Sequence, residues 1–203
     1  MSKRIFQRAL SAALTFLLLT PAAYASVAPG SIQFDGSQYA VTNLNFASAP
    51  GSGNFTYEFW FYLDDASRPN QGLMNTRSGN TKDGIDATVN PDNGTTGMLG
   101  ISYKGRWLHE SDPGSIKSKT WYHLALVRTS AANLNIYLDG VLQRSLNLDG
   151  DGRNFSSTHL IIGAIGGSSA SVVRKMTGNI SNFRYSKSII YSSDFTPVRT
   201  TLE

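Results

Sequence analysis

The sequence contains no cysteine. That excludes disulfide staples, thiolate nucleophiles, Cys-ligated zinc and iron–sulfur clusters. Charge is scarce: charged residues are 16% of the 203, and glutamate occurs only as Glu58, Glu110 and Glu203. So few glutamates leave little material for the paired carboxylates of glycoside hydrolysis. Past residue 26 no segment keeps a 3.6-residue apolar period for three turns, so long amphipathic helices are not expected. No apolar run there approaches the ~20 residues of a membrane span. What the chain does have is 40% apolar residues, 19 Gly, 10 Phe, 9 Tyr and 3 Trp. This is a globular composition, and the length suits one domain with a real core.

The charge balance depends on the first 25 residues. Lys3, Arg4 and Arg8 precede the apolar run 9–19, Pro21 ends that run, and Ala23-Tyr24-Ala25 fits a small-x-small cleavage site. This pattern predicts a secretory signal over 1–25 and a mature domain over 26–203. No cysteine follows the run, so lipoprotein processing is not expected. Without its three basic residues the chain keeps 15 Lys+Arg against 14 Asp+Glu. A net charge near +1 gives no electrostatic case for nucleic acid, which needs a basic stripe.

The mature region reads as strands. In 55–63, Phe55, Tyr57, Phe59, Phe61 and Leu63 share one face, and Thr56, Glu58, Trp60 and Tyr62 the other. The first set predicts a core face. The second is too aromatic for open water, which predicts a central strand whose other side is covered or concave. Leu134, Ile136 and Leu138 alternate with polar neighbours, and Asp139-Gly140 predicts a two-residue hairpin turn into 141–146. Further strands are expected at 31–34, 38–42, 72–77, 84–89, 97–104, 106–110, 121–129, 159–163, 171–175 and 178–187. Turn signals fall between them, including Pro91-Asp92-Asn93-Gly94, Asp112-Pro113-Gly114 and Gly166-Gly167. A dozen short strands with such turns predict an antiparallel sandwich or barrel. Residues 26–30 and 196–203 are expected to be loosely held ends.

Four segments carry a resemblance. They are Ser31-Ile32-Gln33-Phe34-Asp35-Gly36 with Ser37-Gln38-Tyr39; Phe55-Thr56-Tyr57-Glu58-Phe59-Trp60; Trp121-Tyr122-His123-Leu124-Ala125-Leu126-Val127-Arg128 leading to Leu134–Gly140; and Thr177-Gly178-Asn179-Ile180-Ser181-Asn182-Phe183-Arg184-Tyr185 with Tyr191 and Phe195-Thr196-Pro197. In this order they resemble the laminin-G-like, concanavalin-A-like lectin/glucanase jelly-roll domains. The resemblance implies an all-β fold, an antiparallel two-sheet β-sandwich, and covers nearly all of 31–197. It does not by itself assign an activity. Trp121, Tyr137 and Phe183 read as sheet packing. His123 lies mid-strand on the Trp121/Ala125/Val127 face and reads as a structural histidine.

Enzymatic readings fail on the residues. Relatives that cleave polysaccharides use a Glu-x-Asp-x-Glu strand, which is absent. Glu110 and Asp112 have the right spacing, but Pro113-Gly114 follow at once and put the pair at a strand end. Arg–His–Tyr clusters of the lyase type are not recognisable, and no Gly-x-Ser-x-Gly, P-loop or His-Glu-x-x-His occurs. The expected function is non-catalytic recognition of an extracellular polysaccharide or surface protein through rim loops; a self-associating structural or adhesive subunit is the alternative. For a glycan, Trp107 is the candidate platform, with Arg77, His109 and Asp112 as neighbours. The resemblance also brings calcium as a candidate cofactor, held by hard oxygen ligands at the rim. Asp83 and Asp86 in one loop, and Asp149 and Asp151 in another, are the candidate ligands. The second loop is no EF-hand: Arg153 and Leu160 stand where oxygen ligands belong.

Overall fold

The computed structural model describes residues 30–42, 51, 53–76, 84–103, 106–129, 133–148, 160–166 and 172–199. The signal segment, Arg77, Asp83, Asp149 and Asp151 lie outside these residues. Among the described residues there are two six-stranded antiparallel sheets and one short ribbon. The front sheet has the order β1 (Ser31–Asp35), β14 (Thr177–Ser186), β3 (Phe55–Leu63), β8 (Trp121–Arg128), β9 (Asn133–Leu138) and β10 (Val141–Asn147). The back sheet has the order β2 (Ala40–Thr42), β11 (Leu160–Ile162), β4 (Gln71–Asn75), β5 (Ile85–Val89), β6 (Leu99–Tyr103) and β7 (Arg106–Glu110). The ribbon pairs β12 (Ile165–Gly166) with β13 (Val172–Val173).

The alternation of side chains builds the core. Phe55, Tyr57, Phe59, Phe61 and Leu63 are all buried on the inner face of β3. They join Leu124, Leu126, Leu134 and Ile136 from the front sheet, and Met74, Ile85, Ala87, Val89, Leu99 and Ile101 from the back sheet, in one apolar cluster. Burial of these side chains supplies the main driving force for closing the sandwich. Asp139 and Gly140 have φ of +50° and +79°, the paired left-handed geometry that a two-residue hairpin turn demands.

Strand bounds follow the pattern to within a few residues, with three differences. β13 is shorter than the 171–175 expected, and Gly166 belongs to β12 rather than to a turn. The reason is a close approach. The segment carrying β12 lies on the outer face of β4, where a Cβ on Gly72 would come within 2.6 Å of Ala164 and Ile165. Only glycine at 72 admits it. Third, residues 196–199 are not a loose end. The 187–199 segment crosses the outer face of the front sheet, and the Arg199 guanidinium sits 3.7 Å over the Trp121 ring.

Candidate functional site

β3 is central, as its second aromatic face predicted, and that face is covered. Glu58, Trp60 and Tyr62 point away from the core toward the 187–199 segment. Register sets Arg184 opposite Glu58 on one side, and His123 opposite Trp60 on the other. Tyr191 descends from the covering segment, and its hydroxyl donates to Glu58 Oε2 at 2.6 Å. His123 Nε2 lies 3.2 Å from the same oxygen. Arg184 donates from Nε and Nη2 to Glu58 Oε1. Phe195 stacks on Tyr191 at 3.5 Å between ring centroids and meets His123 edge-on at 5.7 Å.

The carboxylate is thus saturated. Burial alone would raise the Glu58 carboxyl. Hydrogen bonds from His123, Tyr191 and Arg184, together with the Arg184 charge, outweigh burial and hold it at about 2. The Tyr191 hydroxyl is pushed up to about 12 by burial and by its bond to the Glu58 carboxylate. Sequence reading found no Arg–His–Tyr cluster, yet folding assembles one from β14, β8 and the covering segment. Glu58 and His123 are 4% and 3% exposed. A carboxylate this acidic and this enclosed is a poor proton donor at neutral pH. What the cluster can do is pin the covering segment and fix the Arg184 guanidinium.

Beside this cluster lies a cleft of about 870 Å³. Trp60, Ile180 and Phe183 line it from the sheet, Ile32 from β1, and Tyr191 and Val198 from the covering segment. A β-bulge shapes one wall. Ser181 pairs with Trp60 and Arg184 with Glu58, so Asn182 and Phe183 together oppose Phe59. Asn182 takes φ +51°, and Phe183 turns inward to stack on Phe59 at 5.3 Å. Arg184 then emerges at the cleft with its side chain 54% exposed.

The back sheet presents a different surface on its outer face. Trp107 pairs with Ser102, and its Nε1–H donates to Asp92 Oδ2 at 2.6 Å. Its ring lies over Gly100: a Cβ there would be 3.2 Å from Trp107 Cζ3 and 2.8 Å from Pro91 Cγ. Asp92 reaches the indole from a tight turn in which Asn90, Asp92 and Asn93 all have positive φ. Asn90 anchors that turn. Its amide donates to the Ala66 and Arg68 carbonyls, and its Oδ1 accepts from Gly97 and Met98 N–H.

Among the described residues, Trp107 and His109 are not brought together. A register shift between Ile101 and Ser102 leaves His109 paired with Ile101, a core-facing residue, while Trp107 pairs with outward-facing Ser102. His109 therefore parts from Trp107 across the strand. Burial and the Arg144 charge lower its imidazole pKa against a smaller upward pull from Asp112. Asp112 is exposed beyond the end of β7, and Arg77 lies outside the described residues. Of the four candidate calcium ligands only Asp86 is described. It sits within β5 rather than in a rim loop, 1% exposed, and accepts a hydrogen bond from Ser102 Oγ at 2.9 Å. Among the described residues no three His, Asp or Glu side chains group as metal ligands.

Comparison with known proteins matches residues 34–191 to the concanavalin A-like lectin/glucanase superfamily. The chain belongs to that superfamily. No curated relative matches it in sequence. Among solved structures it resembles the native heptameric SAP-like pentraxin from Limulus polyphemus at TM-score 0.59 and 14% identity, over 80% of this chain and 78% of that one. It resembles the CBM40 of Ruminococcus gnavus IT-sialidase bound to α2,3-sialyllactose at TM-score 0.58 and 12% identity, over 79% and 93%. It also resembles a putative carbohydrate binding protein from Bacteroides ovatus at TM-score 0.58 and 17% identity, over 81% and 45%. At these identities the likeness is one of fold.

Proposed function

We propose that this chain is a secreted, non-catalytic recognition module that binds an extracellular polysaccharide on the outer face of its back sheet. One observation carries the reading. The Trp107 indole is seated on Gly100 and Pro91 and tied by its N–H to Asp92. An aromatic surface held this firmly loses little freedom when a sugar ring stacks on it. Two of the similar solved structures, from Ruminococcus gnavus and Bacteroides ovatus, are named as carbohydrate-binding. The non-catalytic part rests on Glu58, whose carboxylate is committed to three partners. Calcium remains part of the proposal through Asp83, Asp149 and Asp151.

A second reading rests on a different observation. β10 is an edge strand with Val141 and Leu142 exposed at 52% and 41%. Such an edge can pair with another copy and make the chain a self-associating surface subunit. Passing the purified protein over a polysaccharide array, with calcium and then with chelator, separates the two while light scattering reports mass. The recognition module is retained saturably as a monomer, and Trp107→Ala weakens retention about tenfold or more. Asp92→Ala, which frees the indole, weakens it less. Absence of retention on every glycan, with mass rising with concentration, rejects the reading in favour of the subunit.

A further inference from the structure

The front-sheet cleft keeps polar capacity that folding does not consume. Arg184 gives Nε and Nη2 to Glu58, and Nη2 also reaches the Tyr191 hydroxyl at 3.4 Å. Its Nη1, with two donor hydrogens, has no partner among the described residues. On the outer face of the sheet Trp60, Tyr191 and Val198 give apolar walls, with Ser181 and Thr196 between them, and Val198 is 76% exposed. Ile180 and Phe183 border the cleft from the core side of β14. The volume of about 870 Å³ falls within the range of small-molecule sites. His123 supplies a second unused group: with Nε2 turned to Glu58, its buried Nδ1 has no hydrogen-bond partner.

We propose that this cleft is a second binding site, separate from the Trp107 platform, for an amphiphilic organic acid. Its apolar body rests on Trp60, Tyr191 and Val198, and its carboxylate accepts from Arg184 Nη1. The argument is one of unsatisfied donors. A purely apolar guest would strip water from the guanidinium and return no hydrogen bond, a costly exchange. The guest must therefore bring an acceptor, and an ionised acceptor bonds about twice as strongly as a neutral one. Glu58 occupies the other edge of the same guanidinium, so the pair carries no net charge. That disfavours a guest whose affinity rests on multiple charges, such as a phosphate. A single carboxylate on an apolar body fits, with the walls supplying most of the affinity. Because buried Glu58 already fixes the guanidinium, binding needs no rearrangement of Arg184.

The test is calorimetric titration of the full chain with phenylbutyrate and with phenylbutanol, which share one apolar body. The acid is expected to bind saturably at one site per chain, and the alcohol about tenfold more weakly. Arg184→Gln should bring the acid down to the alcohol. That change also unpairs Glu58 and can loosen the fold. Val198→Trp, at an exposed position that touches none of the network, therefore serves as the second variant. It fills the cleft and should abolish binding of both compounds, whereas Trp107→Ala should alter neither. Equal affinity for acid and alcohol, binding that survives Val198→Trp, or no saturable binding would each overturn the proposal.

Discussion

Glu58 is the residue on which the front sheet turns. Its carboxyl is held at about 2 in the folded chain against 4.5 as a free side chain. The folded state therefore resists protonation more than the unfolded state does. The stabilisation is fully present above pH 4.5 and is lost as pH falls toward 2. A shift of this size corresponds to about 3 kcal/mol. Urea unfolding of the wild type and of Glu58→Gln, run from pH 7 down to pH 3, checks it. The wild type should lead by about 3 kcal/mol at neutral pH, and the lead should shrink steadily below pH 4.5. A lead that stays constant with pH would show that the ionised carboxylate is not what holds the network. The sequence marked Glu58 only as the polar member of an aromatic face. It could not show Arg184 and Tyr191, because both lie more than a hundred residues away along the chain.

At the scale of elements, the covering segment depends on the β9–β10 hairpin. Phe195 N–H donates to Gly140 O at 2.9 Å, and Leu142 N–H donates to Asp194 Oδ1 at 2.8 Å. Gly140 has φ +79°, and a Cβ there would fall 1.8 Å from Phe195 O. Alanine at 140 thus both strains the turn and pushes the segment off the sheet. Gly140→Ala should cost about 2 kcal/mol or more. Hydrogen exchange should accelerate over 191–199 while the β3 and β8 amides stay protected. Protection of 191–199 equal to wild type would show that the hairpin does not hold the segment. The strands were legible because a period of two leaves a plain mark in Phe55–Leu63 and Leu134–Leu138. The bulge at Asn182-Phe183 was not. A run of Ile-Ser-Asn-Phe-Arg alternates well enough to hide one extra residue, and only pairing with β3 reveals it. The same holds at β7, where a shifted register parts His109 from Trp107.

At the scale of the molecule, one core joins both sheets, and no cysteine or described metal cluster supplements it. Such a domain should unfold in one step. Far-ultraviolet circular dichroism and tryptophan fluorescence should report the same midpoint, since Trp60 and Trp121 lie on the front sheet and Trp107 on the back. Two separated midpoints would mean that the sheets are not one cooperative unit. The two outer faces then differ in kind. The back face offers a fixed aromatic ring beside the exposed carboxylates of Asp92 and Glu110. The front face offers a cleft with a guanidinium and apolar walls.

The sequence by itself determined the all-β architecture, the central strand with its covered second face and the Asp139-Gly140 turn. These follow from alternation, turn chemistry and composition, which act between near neighbours and so are written locally. Tertiary structure alone decided which groups meet. It brought Glu58, His123, Arg184 and Tyr191 together, laid residues 187–199 across the front sheet, and turned Trp107 and His109 to different sides of one strand. Strand order, a one-residue bulge and the path of a distant segment fix those meetings. None of the three leaves a periodic trace, because each depends on which strands hydrogen-bond and not on what any strand contains.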